Sequence, residues 1–205
     1  MVFGALFSIM NPLGTVPVFV SLTKEENKLE RNKIAFWTSL NVLIILIISF
    51  FLGKFILIFF GISLNALKIA GGLIIASSGF ALLTGEFSKH KGMKKEKVQE
   101  DIKNRSEISL TPLAIPMIAG PGTISLLITY NQEFKGINNI LIIMGAIILS
   151  AVVIYLILKS SFLIVKALGA SGINALSRII GFIIIAIGIE FIISSLISVY
   201  SILSN

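Results

Sequence analysis

Cysteine is absent from this 205-residue chain, which excludes a disulfide framework, a thiol nucleophile and a thiolate metal site. Histidine is nearly absent. The single copy, His90, stands in a charged stretch with no partner at metal-ligand spacing and reads as a surface residue. The many serines therefore have no imidazole base among the apolar segments, and no His-Glu-x-x-His, Gly-x-Ser-x-Gly or P-loop pattern occurs. The expectation is a protein that is not an enzyme, with no catalytic residue, metal or cofactor. Charge is scarce too: 13% of residues are charged, against about 25% in soluble domains. Hydrophobic residues make up 56%, and mean hydropathy is +0.99. A soluble globular domain is excluded. The net charge of +7 does not indicate nucleic acid, because the basic residues fall between apolar spans, where they act as topology signals.

Six apolar stretches run Val2–Leu22, Ile34–Phe60, Ser63–Thr84, Ile108–Tyr130, Ile137–Leu158 and Asn174–Ile202. Each is long enough to cross a hydrocarbon core of about 30 Å at 1.5 Å per residue. Met1 to Ser21 lack a basic leader and a small-residue cleavage site, so they are read as a span and not as a signal peptide. No apolar–polar alternation suggests a barrel. The connections after the first, third and fifth spans carry fourteen Lys and Arg, and the other side carries three, Lys54, Lys68 and Lys135. This asymmetry predicts both termini outside the cytoplasm. The fold class expected is an all-α integral membrane protein of six transmembrane helices.

Proline is rare and concentrated. All five copies, Pro12, Pro17, Pro112, Pro116 and Pro121, lie inside two apolar segments. Proline lacks an N–H and clashes with the carbonyl four residues back, and hydrocarbon offers no water to a freed carbonyl. The segments Asn11-Pro12-Leu13-Gly14-Thr15-Val16-Pro17 and Pro116-Met117-Ile118-Ala119-Gly120-Pro121-Gly122-Thr123 are therefore expected to break helices 1 and 4. One break per half points to a substrate site in a repeat-built transporter. Half-helix N-termini there favour a carboxylate, and free carbonyls favour an ammonium or cation. Asn11, Thr15 and Thr123 add side-chain donors and acceptors. The substrate-binding candidates are Asn11, Pro12, Gly14, Thr15, Pro17, Pro116, Gly120, Pro121, Gly122 and Thr123. A small zwitterion matches both poles. The competing reading is simple kinks that shape helix packing.

The two halves share a pattern. Asn65-Ala66-Leu67 recurs as Asn174-Ala175-Leu176, and Gly72 and Gly79 keep the same offsets as Gly181 and Gly188. Seven residues are nearly two turns, so each glycine pair marks one face where a neighbouring helix can approach. Three spans per half make the copies antiparallel, an inverted repeat. Residues 1–84 form the first repeat, 85–109 a charged cytoplasmic linker that can meet anionic headgroups, and 110–205 the second repeat. Glu190 is the one acidic residue well inside a span. It is expected to face the bundle interior or water, either in proton coupling or in a structural ion pair, with Lys68 or Arg178 as partner.

Asn11 to Phe19, Pro112 to Ile124, and Asn174-Ala175-Leu176-Ser177-Arg178 with Gly181 and Glu190-Phe191 resemble the signatures of helices 1, 4 and 6 of the MarC family. That family comprises six-helix inner-membrane proteins of bacteria and archaea, and the likeness covers essentially the whole chain. It implies a place beside the LysE-type amino-acid exporters and a link to small neutral amino acids such as alanine and glycine. The reading is a secondary transporter, an exporter before an importer, with the lipid bilayer and a small neutral amino acid as partners and possible coupling to a proton or cation. The alternatives are a non-transporting structural or regulatory membrane protein, and a channel.

Overall fold

The computed structural model describes residues 1–84, 113–114 and 118–203, and no strand occurs among them. Seven helices follow in order: α1 (Val2–Met10), α2 (Pro12–Leu22), α3 (Lys28–Phe60), α4 (Leu64–Thr84), α5 (Pro121–Glu133), α6 (Ile137–Lys159) and α7 (Ser161–Leu203). Within α7 the chain leaves helical geometry at Gly169, with φ 64° and ψ 176°. Among the described residues five stretches are long and apolar enough to cross a membrane: Val2–Leu22, Lys28–Phe60, Leu64–Thr84, Ile137–Lys159 and Ser171–Ser201. The expected fourth span, Ile108–Tyr130, lies partly outside the described residues, and so does the whole expected linker.

Helix starts depart from the apolar pattern in two places. α3 begins at Lys28 instead of Ile34 because Asn27 caps it, its side-chain oxygen accepting from the N–H groups of Leu29 and Glu30 at 3.0 Å each. Ser161–Leu203 is two helices meeting at the non-helical Gly169, and its spanning part, Ser171–Ser201, starts just before Asn174. The Ser160 carbonyl accepts from Leu163 and Ile164 at 3.0 Å, so a helical turn forms in a stretch whose Lys159 and Lys166 read as a connection. The expected first span is two helices, α1 and α2, joined at Asn11.

The helices are apolar on more than one face. The centre is formed by Leu6, Phe19, Leu46, Phe50, Leu126 and Ile147, all essentially buried. On α3 the outward residues Ile44, Ile48, Phe51 and Phe55 are exposed at helical spacing. A helix apolar inside and out belongs in hydrocarbon, not in water. α3 packs against α5 and α6, and α2 packs against α6 and α7.

The longest seam joins α4 to α7. A methyl group at Gly72 would lie 2.6 Å from the Gly188 carbonyl oxygen, and one at Gly79 would lie 2.6 Å from that of Gly181. The reverse approaches are as close, 2.8 Å from Gly181 to Gly79 and 2.6 Å from Gly188 to Gly72. Residue numbers rise along one helix as they fall along the other, so the two are antiparallel. Farther along, Ser195 Oγ donates to the Asn65 carbonyl at 3.2 Å. Only hydrogen in place of Cβ lets the backbones approach this closely.

Replacing Gly79 or Gly188 by alanine is expected to lower stability by roughly 1–3 kcal/mol through overpacking against backbone. Gly145, with open space around its Cβ position, is expected to tolerate alanine or gain up to about 1 kcal/mol. Thermal unfolding of the three variants in the same detergent checks the ordering.

Candidate functional site

The first break is set by Asn11. Its backbone is left-handed, φ 42° and ψ 60°, the sole positive φ outside glycine among the described residues. Asparagine visits this region more readily than other L-residues because its short side chain bonds locally. Here Oδ1 accepts from the Gly14 N–H at 3.2 Å, capping α2. The side chain lies over Gly14, where a Cβ would run into its amide. Asn11 is only 2% exposed, yet its Nδ2 has no partner. A buried donor left unpaired costs roughly 1–3 kcal/mol. Thr15, fully buried, donates to the Pro12 carbonyl at 2.6 Å. Pro17 lies inside α2 and has no N–H to offer the carbonyl four residues back.

The second break is wider. The Ala119 N–H donates to the carbonyl of Ala114, five residues back, at 2.9 Å, a π-type turn of the kind found at functional sites. Gly120 is extended, and α5 starts at Pro121 with no side-chain cap. The N–H groups of Gly122 and Thr123 are thus first-turn donors for which the helix supplies no carbonyl. Thr123 Oγ1 faces the Ile118 carbonyl at 3.4 Å. Pro116 and Pro112 lie outside the described residues.

The two breaks share one cavity of ≈ 230 Å³. Ile9, Met10 and Asn11 approach it from the first break, and Ile118 with Gly120 to Thr123 from the second. α4 adds Ile74, Ile75, Ser78 and Leu82, and α7 adds Ile184. Of the residues nominated from sequence, Asn11, Gly120, Pro121, Gly122 and Thr123 therefore meet at this wall. Pro12, Gly14, Thr15 and Pro17 belong to the first turns of α2 and are not among the lining. Gly122 seats α5 against α4, since a methyl there would lie 2.7 Å from Ile75 Cγ1. The α4 wall was not nominated. Its one legible signal is Ser78, a polar residue beside the seam glycine Gly79, and its hydroxyl donates to the Ile74 carbonyl at 2.9 Å.

Among the described residues, none that lines the cavity is ionisable. Polarity comes from helix ends: α5 brings its N-terminus to the cavity and α1 its C-terminus, equivalent to partial positive and negative charges. This arrangement can hold a small solute that carries both signs and no net charge.

The expected ionic partners sort differently. Lys68 is buried but pairs with Glu133, Nζ to Oε1 at 2.7 Å, joining α4 to α5. Glu190 and Arg178 lie on exposed faces of α7, and neither forms an ion pair among the described residues. Glu190 thus points outward and not into the bundle, because the inward face of α7 is taken by Gly181, Ile184 and Gly188.

The chain matches the family model for MarC family integral membrane proteins over residues 1–200. It is similar to the membrane protein YhcE of Escherichia coli (strain K12), 36% identical, covering 99% of this chain and 94% of the relative. Similarity extends to the inner membrane protein MarC of Salmonella typhimurium, 33% identical over 95% of this chain and 91% of that one. An archaeal membrane protein of Methanocaldococcus jannaschii is 37% identical over 95% and 93%. No solved structure matches the chain.

Removing one member of the Lys68–Glu133 pair leaves the other charge without its partner. Lys68→Met or Glu133→Gln is expected to cost roughly 1–3 kcal/mol, with Glu133, the more exposed partner, at the lower end. The double variant should recover part of the loss. A double-mutant cycle on detergent unfolding measures the coupling.

Proposed function

The chain belongs to the MarC family of integral membrane proteins, and from that premise we propose that it is a secondary transporter of small neutral amino acids. The observation that carries this reading is the meeting of both helix breaks at one cavity, with no ionisable residue in its wall among the described residues. Such a site suits a zwitterion, whose carboxylate seeks helix N-termini and whose ammonium seeks free carbonyls. Export is favoured over uptake.

The full architecture we propose is six spans in two inverted three-helix repeats, joined by a cytoplasmic linker at residues 85–109. Both termini lie outside the cytoplasm, and the setting is the bacterial or archaeal cell membrane. Two features support the repeat. Exchanging the halves turns the Gly72–Gly188 approach into Gly181–Gly79, and both are close. It likewise turns the packing of α4 on α5 into that of α7 on α2, and both are present. Rocking of one repeat on the other, about a cavity shared by both, provides alternating access. The same glycines face each other across the internal seam, which leaves them unavailable for a partner helix, as the structural or regulatory alternative requires.

Flux of radiolabelled alanine and glycine into proteoliposomes, with and without a pH gradient, tests the proposal. Saturable flux, competed by other small neutral amino acids, is expected, and a response to the gradient identifies proton coupling. Gly122→Leu, and Thr15→Val combined with Thr123→Val, are expected to abolish flux while the protein still inserts. Unchanged flux in those variants contradicts the site. Flux without saturation or counter-transport points to a channel. An empty metabolite screen with folded, inserted protein points to the structural alternative.

A further inference from the structure

We infer that the chain self-associates in the membrane, with Lys54 on α3 of one copy paired to Glu190 on α7 of its neighbour. The inference needs only that the chain spans a bilayer, and it holds whether or not the chain is a carrier.

Two charges are left over inside the spans. Glu190 is exposed near the middle of Ser171–Ser201, between the exposed Ala186 and Ile193 on neighbouring turns. Lys54 is exposed in the C-terminal part of α3, flanked along the same face by the exposed Phe51 and Ile58. Its ammonium lies 5.0 Å from the centre of the Phe55 ring, which is itself exposed. An ionisable side chain facing lipid is costly and is ordinarily turned to a partner or to water. A lysine stem can carry its charge toward the headgroups. A glutamate near mid-span has no such reach.

Neither charge finds its partner within the chain among the described residues. Glu25, Glu26 and Glu30 precede or open α3, at its far end from Lys54. Glu133 is taken by Lys68 at 2.7 Å, so Glu190 is the acid that remains. On the basic side, Lys68 is likewise taken, and Arg178 lies roughly three turns from Glu190 along α7. Lys54 is the cation that remains.

The two stand at one level of the bundle. Gly53 abuts Ile128 of α5, Ser125 one turn earlier abuts Gly71 of α4, and Gly72 meets Gly188 of α7. Followed across these contacts, Lys54 and Glu190 differ in height by about one helical turn, roughly 5 Å. Their side chains span that difference. They also look to different sides. α3 packs on α5 and α6, and α7 packs on α4 and α2, so α5 and α2 stand between the two faces. Copies of one membrane protein share one topology, so a match of level within the chain is a match of level between neighbours. Opposite charges attract strongly where the dielectric constant is low, and this pairing takes both away from lipid at once. The contact is heterologous and gives a ring where the rotation closes.

The test is association of the full chain in lipid vesicles, read by energy transfer between copies labelled at the N-terminus as the protein is diluted in lipid. Wild type should associate, and Lys54→Glu or Glu190→Lys should weaken association at least tenfold. The double variant, Lys54→Glu with Glu190→Lys, should restore it, which a merely structural role for either residue would not do. The contact itself is read by crosslinking, since the chain has no cysteine. Ile58 and Ile197 are exposed on the same two faces, one to two turns beyond the charges. Copies carrying Ile58→Cys, mixed with copies carrying Ile197→Cys, should be joined by a short bis-maleimide, and neither should be joined to itself. This arm keeps both charges, so it decides the matter even where a reversal unfolds the chain. Monomeric wild type in vesicles overturns the inference. So does association indifferent to the single reversals, or a folded double reversal no better than the singles. Crosslinking confined to Ile197→Cys with itself also overturns it, and makes α7 a symmetric dimer face.

Discussion

A peptide group in hydrocarbon has no water to turn to, so any backbone taken out of a helix must find its partner inside the protein. The bundle is arranged around the two places where this chain leaves its helices within an apolar segment. At Asn11 the chain turns left-handed and restarts on a proline, and at Gly120 it extends and restarts on another. Each break is partly repaired locally, by Asn11 Oδ1 on Gly14 in one case and by the wide Ala119–Ala114 turn in the other. Both breaks border a common cavity, away from the exposed apolar face of α3.

That gathering depends on the α4–α7 seam. Without a strong hydrophobic drive between helices in a bilayer, close packing by small residues supplies association. Gly72 and Gly79 lock α4 against Gly188 and Gly181 of α7. The face of α4 just beside those glycines carries Ile75 and Ser78 into the cavity wall, and Ile75 is the surface on which Gly122 seats α5. The seam therefore sets the distance between the second break and the rest of the bundle. Lys68 and Glu133 fix the far end of the same α4–α5 contact with a long-range ion pair. A site pinned at both ends of one contact can change shape by moving helices as units, not by local unfolding.

Much of this was legible in the sequence. The apolar runs gave α4 and α6 to within a residue at each end, because nothing competes with hydropathy in the middle of a span. The proline pairs located the breaks, and the glycine spacing located the seam, since both signals are local and chemically forced. Asn11 and Gly120 to Thr123 were nominated and do meet. The misses are tertiary or due to capping. Asn27 and Ser160 start helices in polar surroundings where hydropathy is blind. Ile74, Ile75 and Ile184 line the cavity, but isoleucine in an apolar helix carries no mark of which way it faces. Lys68 finds Glu133, not Glu190, because α5 lies against α4 there while the inward face of α7 is filled by glycine and isoleucine. Only the packing decides that choice.

A transport site must be exposed to each side of the membrane in turn, and the chain's lack of cysteine makes such exposure of the cavity directly measurable. Ser78→Cys places a single thiol on the cavity wall beside the seam. Labelling by a membrane-impermeant maleimide is then followed from the inside and from the outside of sealed vesicles, with and without alanine. Alternating access predicts reaction from both sides, at rates that alanine shifts in opposite directions. A thiol reached from one side only, or at rates indifferent to alanine on both sides, would contradict it.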